Sequence, residues 1–254
     1  MAVTTRKRSK DTSESYGTVP RKKAKEAKDK NWVVVRLAAR DQERRKKEGG
    51  DLKSGQKKVQ CYKLEIVKNG VIGRVRGLFF DKKVKDYNHY RTVGHSGRFE
   101  PGTLDRSVSI ATVAAYNSFR ESLCKHDKSV EILDGDFGEN ILVDGPPAIA
   151  SSDGLSVGTR LRLGTALVEL TEANNPCYRF NTQLWAPQAK ALWGKTAPDG
   201  ETSKWFKSPE CPLNNHIFPG IRGWLAKVIE EGETSAGDKV QLVRGSLKKK
   251  GKKR

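Results

Sequence analysis

The sequence predicts a mainly β domain with flanking helices (α+β), folded as a partly closed barrel or a strongly bent mixed sheet. Short apolar segments with period-two alternation recur between residues 61 and 243, bounded mostly by Gly, Asn or Asp. Only one stretch among them, 111–123, reads as a helix. A hydrophobic content of 35% in 254 residues suffices for one ordinary domain with tails.

Residues 61–67 and 71–80 read as two strands around an Asn69-Gly70 hairpin turn. Residues 105–110 form a short strand, 111–123 the helix, and 139–143 a further strand. Residues 157–171 give two strands broken at Gly164, with Leu161/Leu163 and Val168/Leu170 alternating, and 239–243 give the last. Two segments echo one another: Gly158-Thr159-Arg160-Leu161-Arg162-Leu163 and Gly237-Asp238-Lys239-Val240-Gln241-Leu242 both run from a turn into a strand. They read as two similar barrel strands.

Residues 1–58 read as a basic, largely disordered tail with a charged helix over 32–48, led by Trp32, Val33 and Val34. Gly49-Gly50 and Ser54-Gly55 form a flexible joint to a domain at 59–244, and 245–254 is a basic C-terminal tail. The net charge of +19 is concentrated at the ends. Residues 1–58 hold 19 Lys and Arg against 8 Asp and Glu, and residues 244–254 hold seven basic residues and no acidic one. The stretch 59–243 is nearly balanced, with 23 basic and 22 acidic residues. The charge therefore bears on location and on nonspecific attraction of the tails to nucleic acid, not on core chemistry. The basic run at 20–25 reads equally as a nuclear-import signal and as a solubilising tail. No apolar run is long enough to span a bilayer, so a cytoplasmic or nuclear location without membrane partners is expected.

Cys61, Cys124, Cys177 and Cys211 lie far apart without a Cys-x-x-Cys pair, which removes zinc-ribbon and dithiol readings. A working cysteine here acts singly. Cys177 stands out, because Pro176 stiffens its approach and the charge of Arg179, two residues on, favours thiolate. A thiolate binds a soft metal or attacks sulfur. The plainer reading of the same segment is a buried structural cysteine. Asp134-Gly135-Asp136-Phe137-Gly138-Glu139-Asn140 forms a glycine-punctuated turn that brings an acid, an amide and backbone N–H groups to a strand mouth. A third segment runs from Asp86 through His89, Arg91 and His95 to Asp105-Arg106. There, Asp105-Arg106 serves equally as a structural ion pair and as an anion clamp.

In this order the pieces resemble the MOSC domain, named from the C-terminal domain of molybdenum cofactor sulfurase. The resemblance rests on Asp105-Arg106, Phe137-Gly138-Glu139-Asn140 and the Val-Gly-x-x-Leu-x-Leu-Gly hairpin at 157–164. It continues through Asn175-Pro176-Cys177-Tyr178-Arg179-Phe180-Asn181, Arg222-Gly223-Trp224 and the Gly-Asp-x-Val strand at 237–240, covering roughly residues 60–244. Two features depart from it. The loop before Asp86 lacks a Gly-Asp often found in relatives, and 185–220 is a long segment holding Trp185, Trp193 and Trp205, read as a packing insert.

The resemblance implies a MOSC-type β-barrel that binds molybdenum cofactor, with Cys177 as catalytic residue and metal ligand. Arg106, Arg179 and Arg222 are the implied phosphate donors, since guanidinium binds phosphate bidentately. Asn140, Asn175 and Asn181, with Gly138 and Glu139, are implied at the pterin edge. The activity implied is an oxidoreductase reducing small N-hydroxylated compounds, with an electron-donor protein as partner. The alternative is a sulfurtransferase carrying a Cys177 persulfide, with a separate cysteine desulfurase supplying sulfur. Pyridoxal phosphate is expected on that partner and not on this chain. A basic nucleic-acid-binding protein is the third reading, resting on the tails alone.

Overall fold

The computed structural model describes residues 31–40, 58–77, 81–87, 91–93, 98–100, 104–124, 131–151, 154–175, 209 and 213–243. In chain order the strands are β1 (Trp32–Ala39), β2 (Val59–Cys61), β3 (Lys63–Val67), β4 (Gly70–Val75), β5 (Lys82–Tyr87), β6 (Arg91–Val93) and β7 (Arg98–Glu100). They continue with β8 (Val108–Thr112), β9 (Ile141–Asp144), β10 (Arg160–Leu163), β11 (Ala166–Ala173), β12 (Trp224–Glu230), β13 (Gly232–Ser235) and β14 (Lys239–Val243). The helix α1 (Val113–Cys124) follows β8.

Seven strands close into a barrel in the order β14-β10-β11-β12-β8-β9-β1, with β1 pairing back onto β14. Neighbours are antiparallel except β8 and β9, which run parallel with Ile110 opposite Ile141. The parallel pair needs a crossover, and α1 lies in it. Thr112 caps α1 by accepting from the Ala115 amide (3.1 Å). Closure removes sheet edges. Its interior is aliphatic, with Val34, Leu37, Ile110, Val143, Leu163 and Val168 fully buried or nearly so.

β1 is the principal correction to the sequence reading. Residues 32–39 open no helix; they form the strand that closes the barrel. One edge pairs with β9, and the other pairs with β14 at Trp32 and Val33, then with β2 from Leu37 to Ala39. Three consecutive valines favour a strand, while the charged run that suggested a helix begins only at Arg40. Residues 41–48 lie outside the described residues.

Smaller corrections follow the same logic. Residues 104–106 form a 3-10 turn and the strand begins at Val108. The helix starts at Val113 rather than 111. β5, β6, β7, β12 and β13 were not expected from the sequence, β5 because Lys82, Lys83 and Lys85 mask a single apolar residue, Val84. As the outer strand of a second sheet, β13-β3-β4-β5, it carries lysines that discourage edge-to-edge pairing. The two echoing segments become direct neighbours: Leu161 pairs with Leu242 and Leu163 with Val240. Each is led by a glycine at positive φ, Gly158 (85°) and Gly237 (92°).

The second sheet presses on the barrel at Gly73. A Cβ there would overlap the Cys61 sulfur and stand 2.9 Å from the Ala39 side chain. No helix among the described residues is long and apolar enough to cross a membrane. Gly73→Ala should lower stability by about 1–3 kcal/mol through overpacking, read as a fall in denaturant midpoint at constant m-value.

Candidate functional site

The turn before β9 is shaped by two glycines in the left-handed region, Gly135 (φ 107°) and Gly138 (φ 73°). The Gly138 amide donates to the Gly135 carbonyl (2.8 Å), and Phe137 between them stacks on Tyr116 of α1 with ring centroids 4.1 Å apart. The Tyr116 hydroxyl accepts from the Gly135 and Phe137 amides (2.9 and 2.8 Å) and donates to Glu139 Oε2 (2.8 Å). Burial first, and then the Glu139 charge, holds the Tyr116 phenol well above its usual range. Arg36 of β1 donates to Glu139 Oε1 (3.2 Å), and its guanidinium lies where a Gly135 Cβ would stand.

Asn140, 1% exposed, is the hub of a second network. Its side-chain oxygen accepts from the Ser109 amide and hydroxyl (3.1 and 2.9 Å), and its side-chain nitrogen donates to the Ala38 carbonyl (3.1 Å) and to Asp86 Oδ2 (2.9 Å). Asp86, on β5, also meets the Lys58 ammonium at 2.9 Å. Glu139 and Asn140 therefore face inward, and the backbone amides of Gly135, Asp136, Phe137, Gly138 and Asn140 are engaged within the fold.

Arg222, 5% exposed, joins this turn to the cysteine segment. One terminal nitrogen donates to the Phe137 carbonyl (3.1 Å) and the other to the Asn175 carbonyl (3.3 Å). Gly223 (φ 93°) follows because a Cβ would overlap the Ile110 carbonyl oxygen, and its own carbonyl accepts from the Asn174 amide (2.9 Å). The Asn215 side-chain amide donates to the Asn174 carbonyl (2.8 Å) and to Asn175 Oδ1 (3.2 Å). Residues 174 and 175 are thus held from two sides immediately before Pro176. Asn175 is exposed.

Of the residues expected at a site, Gly138, Glu139, Asn140, Asn175 and Arg222 form one connected unit. Arg106 stands apart in a two-point ion pair with Glu172 (Nη2 to Oε2 2.8 Å), three residues before Asn175. Cys177, Arg179 and Asn181 lie outside the described residues, as do His89, His95, Cys211 and the three tryptophans at 185, 193 and 205. The sequence reading missed Arg36, Lys58, Tyr116 and Asn215. Arg36 and Lys58 were counted with the tail, and a single Tyr or Asn carries no local signal.

Cys61 is a structural cysteine. Its thiol, pushed up to about 11 by burial, donates to the Val59 carbonyl (3.5 Å). Lys58 moves the opposite way, lowered by desolvation to about 8 despite Asp86. Between pH 8 and 10.5 the unfolded chain therefore binds more protons at Lys58 than the folded one, so this group makes stability rise with pH. Cys61 opposes it between pH 9 and 11, where the unfolded thiol ionises first. Comparing Lys58→Met with the parent isolates the lysine. The parent should gain about 3 kcal/mol relative to the variant from pH 8 to 10.5, measured by urea unfolding at fixed ionic strength.

Among solved structures, the chain is similar to the YuaD protein of Bacillus subtilis (18% identity, covering 82% of this chain and 94% of that one, TM-score 0.49). It is also similar to YiiM of Escherichia coli (16% identity, 84% and 70% covered, TM-score 0.42). YiiM of Geobacillus stearothermophilus gives 18% identity, 73% and 77% covered, and TM-score 0.39. No curated protein sequence matches the chain. A family model described as the MOSC domain matches residues 89–241, more than half of the sequence, and the chain belongs to the MOSC domain family.

Proposed function

We propose that this MOSC-family chain binds molybdenum cofactor through the thiolate of Cys177 and acts as an oxidoreductase on small N-hydroxylated compounds. The family is associated with that cofactor. The observation that carries the reading is the Arg222 bracket: a buried guanidinium ties the Phe137 carbonyl to that of Asn175, which leads directly into Pro176 and Cys177. A cysteine following such an anchored segment starts from a defined position, as a metal ligand requires.

The residues at hand fit the group. The exposed Asn175 side chain supplies amide donors and acceptors suited to a pterin edge, with Asn181 further along the chain. Arg179 supplies a guanidinium group for a phosphate, while Arg222 is engaged by the Phe137 and Asn175 carbonyls and Arg106 by Glu172. Arg179 favours the Cys177 thiolate, the form that ligates a soft metal. Glu139, bound to Arg36 and Tyr116, holds the turn. When bound, the cofactor supplies two-electron redox chemistry. The N-hydroxylated substrate takes up two electrons and two protons and leaves as the reduced nitrogen compound and water, with the electrons drawn from a separate donor protein.

Purified from cells that make the cofactor, the chain should carry stoichiometric molybdenum by elemental analysis, and Cys177→Ala should carry none. Arg222→Ala should lower occupancy by roughly tenfold while the far-ultraviolet dichroism remains that of the parent. Metal-free parent protein overturns the proposal; if it instead gains sulfur at Cys177 from a cysteine desulfurase, seen by mass spectrometry, the sulfur-carrier reading replaces it.

The basic ends act separately, as nonspecific polyanion contacts. Deleting residues 1–30 and 245–254 should abolish salt-sensitive retention on heparin or DNA without changing molybdenum content.

A further inference from the structure

Lys58 carries a buried ammonium group. Its side chain is 1% exposed and its ammonium stands 2.9 Å from Asp86 Oδ2. That same carboxylate oxygen accepts from Asn140, so one atom joins the outer strand of the second sheet, the lead-in to β2 and the turn at 137–140. Among the described residues, the charged and titratable groups around Lys58 are Asp86 on β5, Arg40 just after β1, Glu139 in the turn and Cys61 on β2. One carboxylate in contact does not replace the hydration a lysine loses on complete burial.

We propose that the Lys58–Asp86 pair is a proton-linked latch between the second sheet and the turn at 137–140, loosest when the amine is charged and tightest when it is neutral. The sign follows from where the proton is held best. Opening the latch hydrates the amine and restores its ordinary affinity for a proton, whereas closing it returns the amine to a dry site beside Arg40. Protons therefore favour the open form. Burial lowers the closed-state value from 10.5 to about 8, which brings the transition into mildly alkaline solution. Arginine would not serve, because guanidinium stays charged throughout. As regulation of the cofactor site, the latch rests on the reading proposed above, since the turn it holds carries Gly138, Glu139 and Asn140. As a physical tie it stands without that reading.

The test is native-state hydrogen exchange of the full chain, read by mass spectrometry on peptides spanning 82–87 and 135–144 and corrected for the intrinsic pH dependence of exchange. In the parent, protection of these segments should rise about tenfold from pH 7 to pH 9. Lys58→Met and Lys58→Arg should show no such rise, and Asp86→Asn should move it to lower pH by removing the attraction that keeps the amine charged. Flat or falling protection in the parent overturns the latch. A rise of the same size in Lys58→Met or Lys58→Arg, or one unmoved by Asp86→Asn, overturns it as well, so the result stands even if one variant fails to fold. Molybdenum content is not read in this experiment, so the two proposals fail separately.

Discussion

Burying a carboxylate and an amide side by side, Glu139 and Asn140, is costly unless every lone pair and proton finds a partner. Those partners come from far apart in the chain. Arg36 and the Ala38 carbonyl belong to the barrel-closing strand, Ser109 to β8, the parallel partner of β9, Tyr116 to the crossover helix and Asp86 to the second sheet. Displacing any one element would strand a polar group in a low-dielectric interior, where the penalty is greatest. The turn therefore fixes the relative positions of four elements as well as its own shape.

From that turn the constraint passes outward through Arg222 to the segment that ends in Pro176-Cys177. Arginine suits this role because its planar fork reaches two carbonyls at once, and Gly223 next to it lets the backbone close on β8. As far as Asn175, the chain is thereby tied to the buried polar cluster of the barrel. Cys61 illustrates the contrast, since it sits against Gly73 in the packing between sheets, where burial keeps the thiol protonated and inert.

Lys58, just before β2, and Cys61, at its end, are shifted in opposite senses by the same cause, loss of water. A base and an acid buried together each prefer the neutral form. The sequence divides Lys58 from Cys61 at a notional domain boundary, yet in space they share Asp86 as a neighbour.

Much of this was legible in the residues themselves. Alternating Leu161/Leu163 and Val168/Leu170, the Asn69-Gly70 turn and the 239–243 strand are local signals, because period-two burial and turn chemistry are properties of adjacent residues. The ordered motifs at 105–106, 137–140, 157–164 and 222–224 pointed to the family for the same reason. Only tertiary structure decided that residues 32–39 close the barrel, because a strand flanked by charged tail is recognisable only through the edges it fills. It alone decided that Arg106 is bound to Glu172, and that Glu139, Asn140, Asp86 and Lys58 form one buried network. Such partnerships join residues as far as 103 positions apart, and their energy depends on exclusion of water, which no local stretch of sequence encodes.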